Sequence, residues 1–248
     1  MFRFVLLVFV IICGLTPKAY AFDSDLLTIG LADDTVQITT GFNGSRLTIF
    51  GVKREQGDLA IVVRGPERRV TVRRKGQSLG MWRNVDDMRF RNVPSYYDFA
   101  MSGVEREIAP AILRREYGIG VDSLNFDALG RNTEAEIRTF REALIRNKQM
   151  HGHFALEPEK ITFLSDEFFR VDFDIPADVP TGRYTIMTYL FQDGRAVGER
   201  KTDLRIGQVG FSASVYRFAH NNSLMYGIAA VLMALFAGWL VNLFFRKE

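Results

Sequence analysis

The chain has 248 residues, of which 47% are hydrophobic, and 32 basic against 29 acidic side chains give it a formal net charge of +3. Cys13 is the only cysteine in the sequence, which excludes internal disulfides and multi-thiolate metal sites. A charge so close to balance argues against binding to the phosphate backbone of a nucleic acid, and we expect no nucleic-acid partner.

The first 21 residues have the pattern of a secretory signal peptide. An early cation, Arg3, precedes an apolar stretch, and Pro17 is followed by small residues at Ala19 and Ala21. This pattern predicts cleavage after Ala21. An uncleaved first span is the alternative, although the apolar stretch is short for crossing a membrane. Four of the 32 basic and one of the 29 acidic residues lie in this segment or in the last three positions, which leaves 28 of each in the exported part.

A first group of predicted strands follows, with β-type residues in short runs between turn residues. Glu-Gln-Gly, Gly-Pro and Lys-Gly sequences separate the runs, as expected for antiparallel strands. The group comprises SRLTIFGVK (Ser45–Lys53), DLAIVVRG (Asp58–Gly65), RRVTVRRK (Arg68–Lys75) and GMWRN (80–84).

The third of these runs belongs to a basic cluster that spans twelve positions and contains one acid, Glu67. Strand alternation directs Arg69 and Arg73 outward, while the valines between them face the core. The candidate contact residues for an anion or a protein partner are Arg69 and Arg73, together with the adjacent Arg74. Contact with anionic lipid headgroups is a further reading of the same charges. The alternative without a ligand is an edge strand that its charges protect from aggregation.

Between about residues 94 and 156 the period changes and predicts a helical insert. Thr133 and Glu136 form a capping-box sequence ahead of an apolar face at helical spacing. A shorter helix is expected near Pro110, ending at Gly118. The sequence His151-Gly152-His153 follows the long helix and is a weak candidate for a metal site, since two imidazoles supply half of a ligand set. In the alternative reading, the first histidine meets the carbonyl end of the helix.

A second group of predicted strands completes a mainly β exported domain, residues 22–222. Tyr184 stands just inside one of these strands, where immunoglobulin-like sandwiches often place a corner tyrosine. We therefore predict an immunoglobulin-like β-sandwich with the helical insert, and two small sandwiches in tandem are the alternative. The group comprises KITFL (160–164), FFRVDFDIP (168–176), GRYTIMTYLFQDG (182–194) and AVGERKTDLRIG (196–207), with a hairpin turn at 192–194.

The C-terminal segment is predicted to be a transmembrane helix over residues 223–245. Residues 224–245 contain no charged residue, and their length of about 33 Å as a helix exceeds a hydrocarbon core of about 30 Å. Tyr226 and Trp239 are the expected interface residues, and Arg246 and Lys247 follow the span at once. Because basic flanks stay in the cytoplasm, we expect a cytoplasmic tail at 246–248 and an N-terminus in the periplasm.

The order of several segments resembles the alphaproteobacterial putative transmembrane protein family. The segments are VVRGP, VTVRRKG, GMWRN, NVPSYYDFAMS, IAPAILRREYGIGVDSL, PTGRYTIMTYLFQDG and LMYGIAAVLMALFAGWLVNLFFR. The resemblance covers nearly the whole mature chain and implies a cell-envelope protein with a single C-terminal span. It also implies a genetic neighbour, a permease that resembles sulfite exporters, and it supplies no catalytic residues.

These observations favour a non-catalytic protein of the inner membrane. The sequence has no H-E-x-x-H, P-loop or dinucleotide-binding glycine pattern, and we expect no G-x-S-x-G nucleophile elbow, so we expect no enzyme activity and no cofactor. We expect an accessory or scaffold protein of an inner-membrane complex, with an integral membrane protein as its partner. A tethered periplasmic module that binds a solute or an anion is the alternative.

Overall fold

The computed structural model describes residues 25–39, 41–78, 80–208 and 218–245. The predicted signal peptide and the tail at 246–248 lie outside the described residues. The described part is mainly β with one C-terminal apolar helix, as predicted. Its strands are β1 Leu27–Leu31, β2 Thr35–Ile38, β3 Ser45–Lys53, β4 Asp58–Arg64, β5 Glu67–Ser78, β6 Met81–Pro94, β7 Tyr97–Met101, β8 Asp127–Leu129, β9 Glu159–Lys160, β10 Thr162–Phe163, β11 Phe168–Ile175, β12 Gly182–Gln192 and β13 Arg195–Gln208. Its helices are α1 Glu105–Ile108, α2 Ala111–Tyr117, α3 Glu134–Met150 and α4 Ser223–Phe245, with a 3₁₀ turn at Val121–Ser123.

Strands from both predicted groups pair with one another in two shared sheets. The first sheet has the order β1-β3-β11-β10, and the second has the order β2-β13-β12-β4-β7-β9. Strand β3 pairs antiparallel with β11 from Ser45↔Ile175 to Val52↔Phe168, and β4 pairs antiparallel with β12. Because these partners lie more than a hundred positions apart, the two groups form one body and not two sandwiches in tandem.

The two sheets face each other across an apolar core. Alternate residues of the central strands point into it, as the period-two pattern requires. The buried contributors from the first sheet include Leu47, Ile49, Phe169, Val171 and Phe173, and those from the second include Leu59, Ile61, Val63, Tyr184 and Ile186.

A third layer covers the other face of the six-stranded sheet. It consists of the hairpin β5–β6, strand β8 and helices α1 to α3, which pack around a second apolar core. Phe90 from β6, together with Phe140 and Leu144 from α3, meets Phe99 and Val62 of the sheet in this core. The six-stranded sheet is therefore buried on both faces, which explains the unbroken apolar run in β4.

The expected boundaries of the helical insert need correction. Residues 97–101 form β7, which pairs with β4 inside the six-stranded sheet, so the helices occupy only Glu105–Met150. All five residues of β7 are buried, and the strand therefore lacks the alternation that would have marked it in the sequence. Strand β8 also lies between the helices and pairs with β6.

The predicted start of α3 and the predicted ends of α2 are confirmed. Thr133 and Glu136 form both hydrogen bonds of the capping box at the start of α3. Helix α2 begins directly after Pro110 and ends at Gly118, whose φ of 60° is left-handed. The predicted hairpin turn connects β12 to β13 through Asp193 and Gly194, both with positive φ.

Tyr184 makes the contact expected of a corner tyrosine. Its ring is fully buried, and its hydroxyl donates to the carbonyl oxygen of Pro180 at 2.6 Å. This bond fixes the approach of the chain to β12. The immunoglobulin-like strand topology itself stays a prediction.

Candidate functional site

The predicted contact residues Arg69, Arg73 and Arg74 do not form one site. Arg69 and Arg73 are exposed on the outer face of β5, while Val70 and Val72 pack against the second core, as the alternation predicted. Strand β5 lies at the edge of the sheet β5-β6-β8, which agrees with a role for its charges in protecting an edge. Arg73 stands opposite Asp87 in the hairpin, whereas Arg69 lines a shallow pocket with Arg68 and Arg91.

Arg74 has a structural role on the opposite face of the hairpin. Its Nη2 lies 3.0 Å from Asp86 Oδ2, and its guanidinium carbon lies 5.8 Å from the centre of the Phe140 ring. Cation–π contacts of this kind hold a cation over an aromatic face. Arg74 therefore connects the hairpin to α3 and does not share the outer face of β5 with Arg69 and Arg73.

The histidine pair makes local contacts. His151 Nδ1 lies 2.7 Å from the carbonyl oxygen of Asn147, which is the contact with the helix end that the alternative reading predicted. His153 Nε2 lies 3.2 Å from Asp178 Oδ2, and the two imidazole rings are 6.3 Å apart. Within the described ranges, no three His, Cys, Asp or Glu side chains are grouped as a metal site would require.

The sequence GQSLG at 76–80 matches the G-x-S-x-G pattern, and its place in the fold decides whether it forms a nucleophile elbow. A nucleophile elbow places the serine on a sharp turn from a strand into a helix. Here Ser78 ends β5 and Met81 begins β6, so the pattern belongs to the tip of a hairpin. A strand, β6, and not a helix follows Ser78, so the strand-to-helix turn of a nucleophile elbow does not occur here.

A larger groove that sequence reasoning missed lies at one end of the six-stranded sheet, with a volume of about 710 Å³. It opens between the sheet face and the segment that joins α2 to the 3₁₀ turn. Four basic side chains line it, and two acidic side chains, Glu67 and Glu116, oppose them. We call it the cationic groove, after Arg64, Arg115, Arg183 and Lys201.

The position of Arg64 in this groove depends on a glycine. Arg64 Nη2 donates to the carbonyl oxygens of Tyr117 and Gly118 at 3.0 and 3.2 Å, which satisfies the end of α2. A Cβ at position 118 would collide with the same guanidinium nitrogen. Arg64 Nε is buried and has no hydrogen-bond partner among the described residues.

A buried carboxyl group lies between the two facing sheets. Asp98 is 8% exposed and accepts hydrogen bonds from the Tyr96 hydroxyl and the Phe99 amide, each at 2.8 Å. Burial raises its pKa from 3.8 to about 7, although both hydrogen bonds favour the ionised form and oppose that change. The negative charges of Glu159 and Asp174 add to the increase in pKa.

The C-terminal helix agrees with the predicted span. Helix α4 has 23 residues and is about 34 Å long. Its segment Ser223–Asn242 has a mean hydropathy of 2.2 and is not buried against the rest of the described chain. It is the one helix of the described part that is long and apolar enough to cross a membrane. Tyr226 lies near its start and Trp239 near its end, where rings prefer the headgroup layer. The other two predicted interface residues, Arg246 and Lys247, lie outside the described residues.

A family model described as "Putative transmembrane protein (Alph_Pro_TM)" matches residues 26–247. The chain belongs to this family. The Alph_Pro_TM match covers the β-domain and the span together, which confirms the resemblance drawn from the sequence. A comparison with curated proteins finds no match.

Proposed function

We propose that this Alph_Pro_TM protein is a membrane-anchored, non-catalytic accessory or scaffold subunit of an inner-membrane complex. The β-domain would lie in the periplasm after removal of residues 1–21, with the C-terminus of the span in the cytoplasm. Its partner would be an integral membrane protein, and the family resemblance suggests a permease that resembles sulfite exporters.

The short connection between the β-domain and the span carries this proposal. Strand β13 ends at Gln208, and the described chain resumes with helical residues at Phe218. Even a fully extended chain over ten positions covers at most about 36 Å. A β-domain held within this distance of the span would reach the extramembrane loops of an integral membrane protein, which supports the proposed partner.

The hairpin β5–β6 offers the surface for such a partner. Near its tip, Met81 is 69% exposed and Trp82 is 72% exposed, and Val85 is also exposed. Exposed aromatic side chains are frequent energetic centres of protein interfaces, because they bury a large area with few rotatable bonds. We propose that the hairpin tip contacts a loop of the partner and that the outward-facing Arg73 and Arg69 extend this contact along β5 toward the base of the hairpin.

Co-purification from the native membrane in a mild detergent tests the proposal. The full chain should recover one integral membrane protein in near-stoichiometric amount, and Met81→Ala with Trp82→Ala should reduce that recovery at least about tenfold. Ile112→Ala with Leu156→Ala is the matched control, since both side chains are as exposed as the hairpin pair but lie elsewhere. Equal recovery with the hairpin variant and the control would refute the proposed contact.

A second pair of variants separates the two readings of the outward-facing arginines. If Arg69 and Arg73 only protect an edge strand, changing both to glutamine leaves recovery unchanged. If they contact the partner, recovery falls and raised salt reproduces part of the loss. Arg138→Gln with Arg146→Gln on the exposed side of α3 is the control, because it removes the same charge.

A further inference from the structure

The cationic groove collects three of its charges from strands that are not edge strands of the six-stranded sheet. Arg64, Arg183 and Lys201 stand on β4, β12 and β13, although β2 pairs with β13 only at 205–208 and leaves Lys201 without a strand partner on that side among the described residues. Arg64 pairs with Tyr97 of β7 and with Thr185 of β12, so protection of an unpaired edge does not account for its charge.

The groove occupies a sheet face that is apolar elsewhere. Along β4, Ala60 and Val62 face the second core, and the next residue of the same parity is Arg64. Along β12, Met187 packs against that core, and Arg183 follows on the same face four positions earlier. The covering layer thus ends where the face becomes cationic, which leaves an open, charged recess beside a packed core.

Four cations against two acids give the lining of the groove a formal excess of two positive charges, although Asp203 Oδ2, outside the lining, lies 4.0 Å from Arg183 Nη1 and offsets one of them. Neutral donors complete the lining. Tyr189, Ser123, Thr185 and the amide side chains of Asn92 and Asn125 contribute hydrogen-bonding groups. Burial raises the pKa of Tyr189 to about 12, so its hydroxyl keeps its proton at neutral pH and can donate. A tetrahedral oxyanion accepts several such bonds at once.

We propose that the cationic groove binds a phosphate monoester or diester group carried by an organic molecule. The planar forks of Arg115 and Arg183 match the oxygen pairs of a phosphate. Lys201 adds a point charge, and so does Arg64, whose Nη2 is held by the carbonyl oxygens of Tyr117 and Gly118. The volume of about 710 Å³ exceeds that of an inorganic ion and leaves room for the organic part. This inference goes beyond the accessory role, which does not require a ligand.

Two sources can supply this group, a free organic phosphate or an anionic lipid headgroup. Strand β13 continues from Lys201 to Gln208 and then leads toward the span, and the register Gly182↔Ile206 places Arg183 at the same end of the sheet. The groove thus lies at the end of the sheet where β13 ends, ahead of the span in the sequence. The experiment therefore needs one arm for each source.

Both arms use the purified full chain. In the first, calorimetry in an uncharged detergent measures the binding of glycerol 3-phosphate, with glycerol as the neutral probe. In the second, the chain is placed in nanodiscs of phosphatidylglycerol or of phosphatidylcholine, and hydrogen exchange is measured over residues 115–125. The test variant is Arg183→Gln with Lys201→Gln, and the matched control is Arg195→Gln with Arg200→Gln, exposed arginines of β13 outside the groove.

The proposal predicts that the test variant weakens binding at least about tenfold in one arm, while the control matches the wild type. Loss of glycerol 3-phosphate binding identifies a free solute, and loss of phosphatidylglycerol-dependent protection identifies a headgroup. The proposal is overturned if the wild type responds in neither arm, if the test variant behaves like the wild type, or if both variants lose binding equally. Partner recovery in the co-purification assay is a separate readout and stands or falls independently.

Discussion

Replacing the buried Asp98 by asparagine should make the stability of the β-domain less dependent on pH. The Tyr96 hydroxyl has one proton but faces two acceptors, Asp98 Oδ2 at 2.8 Å and the carbonyl oxygen of Asp174 at 3.0 Å. When Asp98 is protonated, it can donate to the tyrosine oxygen, which then donates to the carbonyl. The geometry thus suits the neutral carboxyl group, and an asparagine amide reproduces its donor.

The magnitude follows from the raised pKa of Asp98. In the unfolded chain this carboxyl group ionises near 3.8, and in the folded protein near 7, so the folded state holds a proton that the unfolded state has released. Folding stability therefore decreases as the pH rises from about 4 to about 7 and is constant above that range. At about 1.4 kcal/mol per pKa unit, the full penalty reaches about 4 kcal/mol.

Thermal unfolding of the full chain in an uncharged detergent, followed by circular dichroism at pH 5 and pH 8, measures this effect. Asp98→Asn should raise the midpoint relative to the wild type by several degrees more at pH 8 than at pH 5, since about 1 kcal/mol corresponds to about 2–4 °C in a domain of this size. Asp166→Asn changes an exposed carboxylate in a turn and is the control. A difference between Asp98→Asn and the wild type that is the same at both pH values would refute the argument.

Three further substitutions test individual contacts by the same unfolding measurement. Tyr184→Phe removes the corner hydrogen bond and should cost about 1–1.5 kcal/mol; an unchanged midpoint would show that the bond does not stabilise the fold. Thr133→Ala removes the capping box and should cost about 1 kcal/mol, and Thr133→Ser should restore most of that loss. Arg74→Gln should cost about 0.5–1 kcal/mol more than Arg73→Gln, because Arg74 contacts both Asp86 and Phe140; equal effects would contradict its assigned role.

The elements that were predicted correctly are those with local signals. Helix α3 has its own cap and a regular apolar face, and the turn after β12 contains the sequence Asp193-Gly194, so neither depends on distant parts of the chain. The C-terminal apolar helix was predicted because the length and composition of a candidate span follow from the thickness of a bilayer.

The elements that were missed depend on distant partners. Strand β7 is buried on both faces by different layers, and nothing in its five residues separates a strand from a buried helical segment. The cationic groove collects its four basic side chains from four separate elements, and the sheet register together with the position of α2 brings them together. The position of Arg74, by contrast, could have been predicted from the sequence, because strand alternation places it on the opposite face from Arg69 and Arg73.

The claim on which the proposed function depends most is that the β-domain lies outside the cytoplasm. Gly152 suits an inserted reporter because it lies in the exposed turn after α3 with no neighbouring atom within 4 Å of a Cβ. A reporter enzyme that is active only outside the cytoplasm should be active at Gly152 and inactive when fused after Glu248. Activity after Glu248 together with inactivity at Gly152 would contradict the orientation and, with it, the proposed periplasmic role.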